Sequence, residues 1–186
     1  MNPAEWLVRT ARLSPAAPAL LKGEAIEADY ATFATRVAAI AGALSAEHKI
    51  GKGSRVALFM SNRTEYLEAM YGIWFAGAVV VPINAKLHAK EAAWIIENAG
   101  AEIAFVSSDV GEALQVLAPE CLRTLIYADH PEFALLRQHA EMPRPMVIHD
   151  EELLWLVSPS GTTCRPNGVM TTVARLSSLA LTSLVD

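Results

Sequence analysis

Only two cysteines, Cys121 and Cys164, occur in the 186 residues, too few to staple a secreted scaffold in a chain able to bury its own core. That usage fits a reducing compartment, and the cytoplasm is the expected location. Basic residues are scarce as well: 15 lysines and arginines face 20 aspartates and glutamates, a formal net charge of −5 with no long run of either sign. Proteins that read nucleic-acid phosphates carry a basic excess or stripe, so no nucleic-acid partner is expected. Met1–Glu5 lacks a basic stretch and leads into no apolar segment with a small-residue cleavage site, so it reads as carrying no export address.

Long apolar runs are missing too. The one stretch that invites a membrane reading, Ala69–Ala85, lies uncharged between Glu68 and Lys86 and touches the lower edge of spanning length. It contains Gly72, Gly77, Pro82 and Asn84. A helix end, a glycine turn and a short buried strand at Val79–Val81 account for it without lipid, and no transmembrane segment is expected. The five histidines, His48, His88, His130, His139 and His149, show no pair at metal-ligand spacing and no neighbouring Cys-x-x-Cys. Surface or capping roles are expected for them, and no residue is assigned to a metal. Trp6, Trp74, Trp94 and Trp155 sit singly within apolar patterns and read as core or interface anchors rather than a base-stacking platform.

What the chain does have is a globular composition, 53% apolar and 19% charged, arranged in alternating strand and helix signals. Pro3–Leu13 reads as a short surface helix stopped by Ser14 and Pro15. Ala19–Lys22 and Ala25–Glu27 flank Gly23 and Glu24 as a hairpin. After Asp29, a predicted N-cap, Phe33, Val37, Ile40, Ala41 and Leu44 recur at helical steps. Gly51 and Gly53 mark a turn before a buried strand at Val56–Met60. Asn62 and Glu65 have capping-box spacing ahead of a helix carrying Tyr66, Leu67, Met70, Ile73 and Trp74.

The pattern goes on through a strand at Val79–Val81, a helix at Ala89–Asn98 stopped by Gly100, and a strand at Ile103–Val106. It continues over Val110–Leu117, Thr124–Tyr127 and Pro131–His139 to a proline-bearing linker, Met142–Pro145, within the region 140–150. A last strand is predicted at Leu153–Val157. Such alternation predicts an α/β fold, a layered and largely parallel sheet flanked by helices. No internal repeat or low-complexity segment is present.

After Val157 comes Ser158-Pro159-Ser160-Gly161-Thr162-Thr163-Cys164-Arg165-Pro166-Asn167-Gly168-Val169-Met170, then a helix-compatible tail to Asp186. Small hydroxyl residues beside glycine let the backbone approach an anion, so amides and hydroxyls can donate to phosphate oxygens together. The same residues also dominate ordinary solvated turns. Two familiar nucleotide fingerprints are absent. Walker A needs Gly-Lys where Gly161 is followed by Pro166 and Asn167, and Gly51 and Gly53 are followed by Val56 where a dinucleotide fold needs a third glycine.

At this loop the chain resembles the AMP-binding, adenylate-forming superfamily of acyl-CoA synthetases, adenylation domains and luciferases, whose signature runs approximately Thr-Ser-Gly-Thr-Thr-Gly-x-Pro-Lys-Gly-Val. Ser160, Gly161, Thr162, Thr163, Arg165, Pro166, Gly168, Val169 and Met170 match it in order. Asp29-Tyr30-Ala31-Thr32-Phe33, Gly53-Ser54-Arg55-Val56-Ala57 and Gly77-Ala78-Val79-Val80-Val81-Pro82-Ile83-Asn84 match upstream, so the resemblance covers nearly the whole chain. Pro82-Ile83-Asn84-Ala85-Lys86-Leu87 followed by Glu91 resembles the fatty-acid- and aryl-CoA ligases rather than peptide-synthetase domains.

The resemblance implies activation of a carboxylic acid by Mg-ATP, with release of pyrophosphate and transfer of the acyl group to CoA. It implies that Ser160, Gly161, Thr162, Thr163 and Gly168 hold the outgoing pyrophosphate portion. Three positions depart from the signature: Cys164 replaces a glycine, Asn167 replaces the lysine, and Thr172-Val173 stands where Thr-His is common. Losing the lysine removes a charge-assisted phosphate contact worth about 1–3 kcal/mol. Cys164, beside Arg165, is a candidate oxidisable thiol or simply a small tolerated residue.

The family's adenine, ribose and metal segments, most of its acyl pocket and its mobile C-terminal domain lie beyond Asp186 in the resemblance. The expectation is therefore a single incomplete N-terminal domain, 1–186, with no catalytic residue assigned and no adenylation by the chain alone. The alternative is a non-catalytic binding or assembly module derived from the same fold. A half-sheet of this kind would expose apolar surface, which predicts self-association or a partner that covers it.

Overall fold

Asn2 starts the first helix. Its Oδ1 accepts from Ala4 N at 3.0 Å, and its buried Nδ2 donates to Trp74 O at 2.6 Å and Met146 O at 3.0 Å, so helix α1 (Pro3–Leu13) is pinned to the core at its first turn. The computed structural model describes residues 1–117, 119–157 and 169–175. Strands β1 (Pro18–Lys22) and β2 (Ala25–Asp29) form the predicted antiparallel hairpin, turning at Gly23 with φ +60°. Asp29 caps α2 (Tyr30–Ala46) by accepting from Thr32 N at 2.8 Å, and all five of the predicted apolar positions are buried.

The remaining elements are β3 (Arg55–Phe59), α3 (Thr64–Phe75), β4 (Val79–Ile83), α4 (Ala89–Ala99), β5 (Ile103–Val106), α5 (Ser108–Leu117), β6 (Thr124–Tyr127), α6 (Pro131–Leu136), β7 (Leu153–Val157) and β8 (Val169–Thr172). The last six strands form one sheet in the order β6-β5-β3-β4-β7-β8. Its first five strands run parallel, and β8 pairs antiparallel with β7. The α/β, largely parallel architecture predicted from the alternation is the observed one.

Strand periodicity divides the core in two. Val56, Leu58, Val80, Ile103 and Phe105 pack beneath α1, α2, α3 and α6, whereas Ala57, Phe59, Val81, Ala104 and Val106 face α4 and α5. Being covered on both sides is what makes these strands read as continuous apolar runs. Among the described residues no helix is long and apolar enough to cross a membrane. The uncharged stretch is the end of α3, a turn at Gly77 with φ +78°, and β4.

Three local expectations change. Arg63, not Asn62, is the N-cap of α3 and makes no side-chain capping bond. Glu65 turns instead to Arg63 Nε at 3.2 Å and Arg137 Nη2 at 3.5 Å, because two guanidiniums outcompete a backbone amide for one carboxylate. The capping box lies at α4, between His88 and Glu91. Leu67, expected on the buried face, is 39% exposed. Finally, Val169–Thr172 is a strand rather than the loop's end and the start of a helical tail, in keeping with its β-branched residues.

Glu68 is fully buried and accepts from Arg36 Nη1 at 3.0 Å and Arg137 Nε at 2.6 Å, tying α3 to α2 and to the end of α6. From there the chain crosses toward β7 along the same face. Met142 N donates to Ala38 O at 3.0 Å and Met146 N to Phe75 O at 2.8 Å.

Candidate functional site

Parallel α/β sheets gather ligand sites at the carboxyl ends of their strands, where connections leave toward opposite faces. Here the chain leaves β3 for α3 on one face and leaves β4 for α4 on the other. Between the carboxyl ends of β3, β4 and β7 lies a cleft of about 600 Å³. Met60, Pro82, Ile83 and Val157 form its apolar wall, and Ser61, Asn62, Tyr66, Asn84 and Lys86 present polar groups.

The turn after β4 is held from within. Asn84 Oδ1 accepts from Lys86 N at 2.9 Å, and Asn84 O accepts from Leu87 N at 3.0 Å. The capping box follows at once: His88 N donates to Glu91 Oε2 at 2.9 Å and Lys90 N to His88 Nδ1 at 3.3 Å. Val157 borders the cleft, and its backbone pairs with Val169, so the two ends of the segment 158–168 meet at this edge of the sheet. Ser160, Gly161, Thr162, Thr163 and Gly168, the residues predicted to hold phosphate, lie outside the described residues, as do Cys164, Arg165 and Asn167.

Ser61 and Asn62 also border a second cleft, of about 660 Å³, against the β1–β2 hairpin. Its floor is a polar network at the ends of β3, β5 and β6. Ser61 N donates to Ser107 Oγ at 3.0 Å and the Ser61 hydroxyl to Asp109 Oδ2 at 2.5 Å. Ser108 N donates to both Asp129 oxygens at 3.2 and 3.0 Å, and Arg63 Nη1 lies 3.5 Å from Asp129 Oδ2. Hydrogen bonds from the Ser107 and Ser61 hydroxyls hold the Asp109 carboxyl below the usual carboxylate range. For Asp129 burial is the largest single influence and pushes upward, but the Ser108 amide and hydroxyl and the Arg63 guanidinium together bring it below that range.

The other residues singled out in the sequence occupy structural positions. His88 caps α4, while His130 stacks on Tyr127 with ring centroids 4.6 Å apart and lies 3.0 Å from Ser108 Oγ. Among the described residues no group of three or more His, Cys, Asp or Glu is placed to hold a metal ion. Cys121 points its thiol at Ile96 O, 3.6 Å away, and burial raises its pKa. Trp74 is buried, donates to Leu154 O at 3.1 Å and meets Trp155 edge-on at 5.7 Å. Sequence reasoning did not assign Ser61, Asn62 or Lys86 to a site. The signal that would have found them is position, just past the carboxyl end of a parallel strand.

The profile of the AMP-binding enzyme family matches residues 7–186. The chain is 30% identical over 181 residues to a feruloyl-CoA synthase from Amycolatopsis sp., covering 97% of itself and 35% of that protein. It is 35% identical over 128 residues to the long-chain-fatty-acid–CoA ligase FadD13 of Mycobacterium tuberculosis, covering 66% of itself and 25% of that protein. It thus spans about a third or less of the length of these curated relatives. The inhibitor-bound crystal structure of the N-terminal domain of FACL13 from Mycobacterium tuberculosis superposes with a TM-score of 0.82 at 28% identity, over 93% of this chain and 45% of that one. A benzoate CoA ligase from Burkholderia xenovorans shares the fold, with a TM-score of 0.84 at 19% identity, over 97% of this chain and 36% of that one. The chain belongs to the AMP-binding enzyme family, and it corresponds to the N-terminal part of acyl-CoA ligases.

Proposed function

We propose that this chain is the N-terminal part of an ATP-dependent carboxylate–CoA ligase, one incomplete domain over 1–186, working in the reducing cytoplasm. In this reading a fatty or aryl carboxylate attacks the α-phosphorus of ATP, pyrophosphate leaves, and an acyl-adenylate remains. The CoA thiol then attacks the acyl carbon and AMP departs, giving the thioester. Such chemistry rests on positioning and on neutralising phosphate charge. Ser160, Gly161, Thr162, Thr163 and Gly168 are assigned to the outgoing pyrophosphate portion. Among the described residues no three His, Cys, Asp or Glu side chains cluster as a metal site; the resemblance puts the metal-binding segment beyond Asp186, and no step is routed through magnesium.

The observation that carries the reading is the Val157–Val169 pairing. It ties both ends of the hydroxyl- and glycine-rich segment to the carboxyl edge of the sheet, beside a cleft that joins an apolar wall to polar groups. The chain holds about a third of a relative's length, and the remaining chemistry belongs to the part of such a ligase that these 186 residues do not span. Exchange of labelled pyrophosphate into ATP, with a panel of fatty and aryl acids, tests this. No exchange is expected from the chain alone, and exchange is expected when the complementary part of an acyl-CoA ligase is added. Exchange by the chain alone would overturn the need for that second part.

A binding or assembly role is favoured by a separate observation. Leu21 and Ile26 of the hairpin are 52% and 60% exposed, and Leu67 of α3, which lines the second cleft with Leu21, is exposed as well. We propose that apolar surface of this kind is covered by self-association or a partner. Sedimentation at several concentrations tests the self-association: a concentration-dependent dimer supports it, and a monomer throughout contradicts it.

A further inference from the structure

Among the described residues lining the cleft at the ends of β3, β4 and β7, Lys86 is the only one that carries a formal charge. The cleft on the other side of Ser61 and Asn62 has the opposite character: Glu27, Glu65, Asp109 and Asp129 outnumber Lys22 and Arg63. An anion is therefore attracted to the β4–β7 side and repelled from the hairpin side. Lys86, like Lys22, Lys49 and Lys90, takes part in none of the ion pairs among the described residues, so its ammonium is not committed to a carboxylate. Its backbone is fixed by the Asn84 side chain before it and by the His88–Glu91 capping box after it. An ammonium on a held turn loses less entropy on meeting a ligand than one on a free loop.

The loop whose ends meet beside this cleft carries Asn167 where the family signature has its lysine. We propose that Lys86 binds the polyphosphate of a nucleotide in this cleft, giving a positive charge to a chain whose signature lysine is replaced in sequence by Asn167. That the anion is a nucleotide rests on the ligase reading above; that the cleft takes a phosphate-type anion through Lys86 rests on its lining alone.

Calorimetric titration of the full chain with ATP and with inorganic tripolyphosphate tests the proposal, using the unmodified protein, Lys86→Ala, Lys86→Arg and, as a control outside the cleft, Lys90→Ala. Lys86→Ala is expected to weaken both anions roughly tenfold, as for loss of one charge-assisted contact. Lys86→Arg should retain most of the affinity, and Lys90→Ala should bind as the unmodified protein does. The gap between Lys86→Ala and the unmodified protein should narrow at high salt. Circular dichroism melting of each variant shows that it is folded. Equal affinity of Lys86→Ala and the unmodified chain, or no binding of either anion by the unmodified chain, would overturn the proposal. Tripolyphosphate binding that depends on Lys86, without pyrophosphate exchange in the presence of a complementary part, would support Lys86 and sink the ligase reading.

Discussion

Arg137 Nε donates to Glu68 Oε2 at 2.6 Å across the interface of α6 and α3, and Glu68 is completely shielded from water. A buried carboxylate is tolerated here because Arg36 and Arg137 both satisfy it. Removing the carboxylate leaves the partly buried Arg36 guanidinium without its partner and Arg137 with Glu65 alone. Glu68→Ala is expected to destabilise the chain by about 3–5 kcal/mol in urea unfolding, and Glu68→Gln, which keeps one acceptor oxygen, by less. A loss under about 1 kcal/mol for Glu68→Ala would mean that the pair is far better solvated than its geometry indicates.

Gly77 and Gly23 separate two reasons for needing glycine. Both adopt positive φ, +78° and +60°. A Cβ on Gly77 would meet Met146 Cγ at 2.8 Å and Cβ at 2.9 Å, whereas a Cβ on Gly23 meets nothing within 4 Å. Gly23→Ala should cost the backbone term alone, about 1 kcal/mol. Gly77→Ala should cost more, because it also displaces the segment whose Met146 amide is bonded to Phe75 O. Equal losses in parallel unfolding curves would show that Met146 moves aside freely.

Trp74 and Trp155 touch edge-on, yet their indole N–H groups differ. Trp74 Nε1 donates to Leu154 O, while Trp155 Nε1 is buried with no acceptor among the described residues. Replacing both by phenylalanine removes similar volume but only one satisfied hydrogen bond. Trp74→Phe is expected to cost about 1 kcal/mol more than Trp155→Phe. The reverse order in chemical denaturation would mean that Trp155 finds an acceptor in solution.

Acid should weaken the fold through its depressed carboxylates. The Thr32 hydroxyl and amide hold Asp29 low, the Ser107 and Ser61 hydroxyls hold Asp109 low, and Lys52 and the His149 amide hold Glu152 low. A carboxyl with a depressed folded-state pKa adds stability that is fully present above the ordinary carboxylate value, near about 4. That stability is lost as the pH falls through the lower, folded-state value. Thermal midpoints should therefore be flat from neutrality to about pH 5 and fall below it, and Asp109→Asn should fall less steeply. A midpoint that rises on acidification would contradict the sign.

Much of this architecture was legible because the code was local. Asp29 ahead of Phe33, Val37 and Ile40 located α2, Gly23 located the hairpin, and Gly100, with φ +64°, located the end of α4. What stayed hidden depended on partners distant in the chain. Glu65 had the right spacing to cap α3, but Arg137, remote in sequence, drew it away. Val169–Thr172 is too short to announce itself as a strand and becomes one only because β7 lies beside it. Lys86 became visible as a cleft residue only when the sheet order brought β4 beside β7. The phosphate-type loop was legible as composition, and its two ends, Val157 and Val169, are what the structure adds.

The central claim is that residues 158–168 grip a nucleotide's phosphates. Calorimetric titration of ATP into the full chain and into the Thr162→Ala, Thr163→Ala double variant tests it most directly. Binding weakened by tenfold or more in the double variant, with an unchanged melting curve, is the predicted result, since two hydroxyl donors to phosphate are lost. ATP binding of the same affinity and heat in both proteins would contradict the account.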